Sequence, residues 1–110
     1  RTVPKKSMLK VKIIQSIDKR IPLDDLAIEL KMDFDDFLTE IETIVYSGIK
    51  LNIDYFIEDI LDEENIEDIY DYFMHSETDS IEAAVREFDG DFSEEEIRLV
   101  RLKFISEMAN

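Results

Sequence analysis

The chain has 110 residues, 45% of them hydrophobic, with two glycines, no cysteine and a formal net charge of −15. That supports one domain with a single modest core, and it removes whole classes of chemistry. Without Cys there is no disulfide, thiolate metal site or Cys nucleophile, and two isolated glycines do not build a phosphate loop or a dinucleotide fingerprint, which need several close together. No apolar run approaches the roughly 20 residues that span a bilayer, and no signal-peptide core stands near the start. A soluble, cytoplasmic protein is expected. The first residue is Arg, not Met, so the chain is expected to be the C-terminal fragment of a longer protein. The charge is uneven: residues 1–20 hold seven cations and one anion, whereas residues 21–110 hold six cations and 27 anions. A basic arm precedes an acidic body, which bears on partners and not on fold.

From the start, apolar residues recur at helical spacing and never alternate for long. Ser7 to Arg20 carries Leu9, Ile13, Ile14 and Ile17. Pro22 suits a first helical position before Leu23, Leu26, Ala27 and Leu30. Asp33 is placed to cap a third helix with Phe34, Phe37, Leu38, Ile41, Ile44 and Val45 on one face, and Gly48 to end it in a left-handed conformation. Ile49-Lys50-Leu51 reads as extended, a stunted wing. Asn52 is expected to cap a helix bearing Ile53, Phe56, Ile57, Ile60 and Leu61. Asp62 caps the next, with Ile66, Ile69, Tyr70, Phe73 and Met74 inward. Asp79 with Glu82 reads as a capping box before Ile81, Ala84, Val85 and Phe88, and Ser93 with Glu96 as another before Ile97, Val100, Phe104, Ile105 and Met108. An all-α bundle of about seven short helices follows. Leu23, Leu26, Ala27, Leu30 and Phe34 are echoed 58 positions later by Ile81, Ala84, Val85, Phe88 and Phe92. Amphipathic helices produce such echoes readily, so duplication stays open.

The acidic runs are weak metal signals. Glu58 to Asp71 has no Gly for a calcium-loop turn, and in Asp89 to Glu96 Gly90 stands second instead of sixth. Both read as solvated faces. His75, the only histidine, has no partner for zinc and suits a helix end, where an imidazolium complements the dipole. No nucleophile-with-base arrangement stands out, so no catalytic, cofactor or metal residue is assigned. Tyr46, Tyr55 and Tyr72 fall beside the core stripes among Asp and Glu, where base stacking, which needs a positive groove, is disfavoured. Glu82 precedes Arg86 by four and Glu94 precedes Arg98 by four, the favourable order for surface ion pairs along a helix.

The stretch from Ile21 to Gly48 is spaced like a helix-turn-helix. A reader of DNA docks its second helix in the major groove with cations on the flanking phosphates. Phe34 to Ser47 instead carries Asp35, Asp36, Glu40 and Glu42 and no Lys or Arg. Like charges about 4 Å apart cost about 1 kcal/mol per pair even in water. This helix is not expected to enter a DNA groove.

The segments PKKSMLKVKIIQSID, IPLDDLA, EIETIVYSGIKLNIDYFIEDILDEE, IYDYFM and EEEIRLVRLKFISEMAN resemble the C-terminal helix-turn-helix domain of bacterial RecQ-type DNA helicases of the Bacteroidetes type. The resemblance covers essentially the whole chain, and its most specific parts are SGIKLNIDY and EEEIRLVR. It implies an accessory domain of an ATP-dependent helicase that unwinds DNA 3′ to 5′ in recombination and repair. ATP, Mg²⁺ and Zn²⁺ would belong to upstream domains, and no catalytic residue carries over.

The expectations are therefore a linker over residues 1–6 and one all-α domain over 7–110 that neither binds nor hydrolyses ATP. Asp35, Asp36, Glu40 and Glu42 are expected to face outward, toward a basic protein surface in the same helicase or a partner. Lys5, Lys6, Lys10, Lys12, Lys19 and Arg20 are the candidates for DNA contact; their bland reading is a solvated linker and helix face. No membrane or small-molecule partner is expected, and the location is the cytoplasm, near the nucleoid. Two alternatives remain: a free-standing acidic regulator that mimics DNA, and a weak DNA-binding module using the basic arm.

Overall fold

The computed structural model describes residues 6–108, and for Lys6 and Ser7 the backbone alone. Seven helices follow one another: α1 (Lys6–Asp18), α2 (Leu23–Glu29), α3 (Phe34–Tyr46), α4 (Asp54–Ile60), α5 (Glu63–His75), α6 (Ile81–Phe88) and α7 (Glu94–Met108). The all-α reading holds, and among the described residues there is no strand. None of these helices is long and apolar enough to cross a membrane. The body is elongated, 46 × 25 × 22 Å.

Local chemistry explains most of the boundaries. Asp33 precedes α3 in an extended conformation, and Asp35 and Asp36 place negative charge in its first turn, against the positive end of the helix dipole. Ser47 closes α3 and Gly48 follows at φ +103. A Cβ on Gly48 would meet nothing within 4 Å, so backbone conformation, not space, calls for glycine there. Before α7, Ser93 and Glu96 form the reciprocal box: the Ser93 N–H donates to Glu96 Oε1 (2.8 Å) and the Glu96 N–H to Ser93 Oγ (3.1 Å).

Three expected helix starts shift, and Asp33 and Asp62 stand before α3 and α5 without a side-chain cap bond. The residue before α6 is Ser80, whose Oγ accepts from the Ala83 N–H, and not Asp79. Asp79 is drawn off by a tertiary contact, accepting the Tyr46 hydroxyl at 2.6 Å. Ile53 occupies the position before α4, while Asn52 Oδ1 accepts from the Asp54 N–H one step out. Pro22 stands just outside α2, its carbonyl accepting from the Leu26 N–H.

Helix α7 is the centre of the fold. It packs against α3, α4, α5 and α6, and Ile97, Arg98, Leu99 and Val100 are buried in succession. An amphipathic surface helix buries one stripe; this one is enclosed on several sides, so even its polar residues must find partners inside. Ser106 does so by standing in for a strand. The Leu51 N–H donates to Ser106 Oγ (2.8 Å), and that hydroxyl donates to the Leu51 carbonyl (3.1 Å). Residues 49–53 therefore form no wing; they are an irregular segment whose backbone α7 holds at Leu51. Replacing Ser106 with Ala should cost about 1–3 kcal/mol in urea unfolding, because it strands two buried backbone groups. A loss below about 0.5 kcal/mol would mean that Leu51 finds other partners.

The expected apolar stripes hold in outline, with Ile13, Leu26, Phe37, Ile41, Ile57, Ile69 and Ile97 fully buried. Ile60, Met74 and Met108, expected inside, are exposed. Met74 lies one residue, about 100° around the helix, from Phe73, which marks the face α5 turns to the core. The 58-residue echo has one backbone counterpart. In the turns after α2 and α6, Lys31 (φ 60) and Asp89 (φ 47), 58 positions apart, both adopt the left-handed conformation.

Candidate functional site

Helix α3 presents three stripes. Phe37, Leu38, Ile41, Ile44 and Val45 enter the core. Asp35, Thr39, Glu42 and Tyr46, at spacings of four, three and four, turn to α7 and the segment before α6. Asp36, Glu40 and Thr43 form the third.

The second stripe is where the charges meet. Arg98 of α7, 6% exposed, reaches across with its whole guanidinium. Its Nε donates to Glu42 Oε2 (3.0 Å) and its Nη2 to Glu42 Oε1 (2.9 Å), a bidentate fork. Nη1 also donates to Asp35 Oδ1, and Nη2 to Thr39 Oγ1 (3.1 Å). Arg101, one turn on, donates from Nη2 to Glu42 Oε2 (2.8 Å) and from Nη1 to the Asp79 carbonyl (2.9 Å). Its guanidinium also stands over the Tyr46 ring, 5.9 Å from the centroid. The hydrogen bonds with Glu42 are the main reason the Arg98 pKa lies above its ordinary value, outweighing the burial that lowers it. Burial, then the hydrogen bond to Asp79, pushes the Tyr46 phenol up to about 12.

This corrects one expectation. Glu42 does not face outward: its side chain is 13% exposed and shared between two arginines. The Asp35 side chain remains 70% exposed but is held by Arg98. Asp36 is exposed and Glu40 half-buried, and neither takes part in an ion pair among the described residues. Arg98 also departs from the surface pairing expected along α7. Glu94 lies 3.9 Å away, a loose contact beside the Glu42 fork. The signal that sequence offered was the run Ile97-Arg98-Leu99-Val100-Arg101-Leu102, two arginines inside an otherwise apolar stretch of a central helix.

Of the six candidate cations, four have described side chains, and Lys10 and Lys12 among them do not share a face of α1. Lys5 and the Lys6 side chain lie outside what the structure describes. Lys10 is half-buried, while Lys12, Lys19 and Arg20 are exposed. Lys12 is paired with Glu29 of α2 at 2.8 Å. Lys12 follows Lys10 by two positions, which puts them about 200° apart around α1. Elsewhere, His75 Nδ1 contacts the Asp71 carbonyl at 2.9 Å, one turn back in its own helix. Tyr55 donates its hydroxyl to the Ile21 carbonyl, and Tyr72 packs edge-on against Phe73 and Phe88, so both contribute to packing. Among the described residues no group of three carboxylate or imidazole side chains converges where a metal ion would sit.

Comparison with known families decides what this helix pair is. Residues 7–57 match the family model described as RecQ-1-like, helix-turn-helix domain. The chain carries a RecQ-1-like helix-turn-helix domain. No curated protein matches it. The matched residues run from α1 into α4 and include the whole of α2 and α3. A helix-turn-helix unit is not in itself a catalyst, which agrees with the reading of this piece as non-enzymatic. The two arginines that occupy the acidic second helix of the RecQ-1-like unit come from α7, outside the matched span.

Proposed function

We propose that this chain is a non-catalytic docking domain at the C-terminus of a RecQ-like, ATP-dependent 3′ to 5′ DNA helicase acting in recombination and repair. It would work in the cytoplasm near the nucleoid, with ATP, Mg²⁺ and Zn²⁺ handled by upstream domains. The observation that supports this reading is the Arg98–Glu42 fork. It ties the second helix of the helix-turn-helix to α7, and the outward stripe left over, Asp36, Glu40 and Thr43, is anionic. A helix so held and so charged suits a basic protein surface in the same helicase or a partner, and it repels phosphate.

The test has two arms. The chain should bind the RecQ helicase core with an association rate that falls as salt rises. Its DNA binding should be weak and indifferent to sequence. Six phosphate contacts from the basic arm would give a log–log salt slope of about −4 to −5, and holding Lys12 to Glu29 removes one of them. A slope of about −3.5 to −4.5 is expected, with binding abolished by replacing Lys5, Lys6, Lys10 and Lys12 with Ala. Sequence-selective DNA binding that survives those replacements would defeat the docking reading.

A further inference from the structure

The acidic body also carries an apolar cleft, and its chemistry specifies a partner. The cleft, about 450 Å³, opens between α2, the start of α3, α4 and the start of α7. Met32, Phe34 and Phe56 line its interior, and Ile28 of α2 and Ile60 of α4 form its lips. Ile28 is 74% exposed and Ile60 42%. Single exposed apolar residues are ordinary on a protein surface. Two that border one cleft with aromatic walls make a continuous apolar patch, which marks an interaction surface. The cleft is lined by three carboxylates, Asp24, Glu95 and Glu96, and by no Lys or Arg. None of the three takes part in an ion pair among the described residues. Asp24 and Glu96 each accept one local backbone N–H, which leaves their charge uncompensated.

We propose that this cleft takes the apolar face of a cationic amphipathic helix from a protein partner, with Lys or Arg flanking its apolar anchors. A groove between helices suits a helix laid along it. The acidic rim selects positive flanks and the strongly negative body excludes nucleic acid from the same place. The inference deepens the docking reading and rests on it.

The probe is a fluorescein-labelled 16-residue peptide with Leu along one helical face and Lys elsewhere; its control carries Glu for every Lys. At physiological salt the Lys peptide should bind the 110-residue chain and the Glu peptide should not. The double variant Ile28→Asp/Ile60→Asp should raise Kd at least tenfold with helicity unchanged, and the milder Ile28→Ser/Ile60→Ser pair should act in the same direction. Neutralising three acids on α5 (Glu63→Gln, Glu64→Gln, Glu67→Gln) should change Kd less than threefold. Equal effects from the Ile28→Ser/Ile60→Ser pair and the α5 changes would mean undirected charge attraction and would overturn the cleft. So would a dimer in sedimentation that Ile28→Asp disperses, which makes a second copy the occupant. Tighter peptide binding after Lys5→Glu/Lys6→Glu would make the chain's own arm the occupant and would overturn the proposal too. If the Ile28→Asp/Ile60→Asp variant loses the peptide but still binds the helicase core fully, the docking reading stands and the cleft is not its partner site. If the unaltered chain binds no helicase core at all, the docking reading falls first.

Discussion

Arg98→Ala should lower the free energy of unfolding by about 3–5 kcal/mol, the range for breaking a buried ion pair by removing one partner. An exposed pair is worth only about 0–1 kcal/mol, so burial decides which figure applies. The Arg98 side chain is 8% exposed and that of Glu42 13%, and the substitution leaves Glu42 in place with Arg101 as its remaining cation. Asp35 and the Thr39 hydroxyl lose the same donor. Domains of this size are stable by about 5–15 kcal/mol, so the melting temperature should fall by more than about 10 °C. Removing both partners in Arg98→Leu/Glu42→Leu should lose less than the sum of the two single Leu changes, because the charges of the fork leave together, although Arg101 loses its carboxylate. Urea unfolding of the four proteins in that cycle measures the coupling. A loss under about 1 kcal/mol for Arg98→Ala would show that the fork behaves as a surface contact.

Charge reversal along α3 should divide into two outcomes according to stripe. Glu42→Lys sets a third cation against Arg98 and Arg101 and should destabilise at least as strongly as Arg98→Ala, by about 3–5 kcal/mol or more. Asp36→Lys/Glu40→Lys acts on the stripe whose carboxylates make no ion pair among the described residues. Its folding cost should stay within about 1 kcal/mol: Asp36 gives up a few tenths at the helix start, and half-buried Glu40 gives up some packing of its methylenes. Association with the helicase core should weaken and slow, most at low salt, since complementary exposed charge acts chiefly on encounter rate. The isolated domain should gain DNA affinity. Stopped-flow association at two ionic strengths, beside a melting curve for each variant, separates the two stripes. Unchanged association of Asp36→Lys/Glu40→Lys at low salt would reduce those carboxylates to a solvated face.

The positions of the seven helices were legible because their causes are local. Apolar spacing marks the faces, Gly48 supplies the positive φ that ends α3, and Ser93 and Glu96 close a box within four residues. Local rules failed where a distant residue competed. Asp79 has the right type and spacing to cap α6, but Tyr46, 33 positions away, takes its carboxylate. Ile49-Lys50-Leu51 has strand-like composition, but its backbone partner is a serine side chain 55 positions on in α7.

The same division runs through the site. Sequence alone determined that this is an all-helical chain, that its second helix-turn-helix helix is acidic, and that an acidic helix repels phosphate. It did not determine which carboxylates stay free, because Asp35, Asp36, Glu40 and Glu42 are alike in type and lie on one helix. Tertiary structure decided that, by laying α7 along one stripe of α3. Glu42 and Arg98 are 56 residues apart, a pairing that no helical period encodes. Once α7 fills the centre of the fold, Arg98 cannot reach water, and a buried guanidinium stays charged only beside a carboxylate that can match its fork. Glu42 lies where that fork reaches, and Asp36 and Glu40 are left without an ion pair among the described residues.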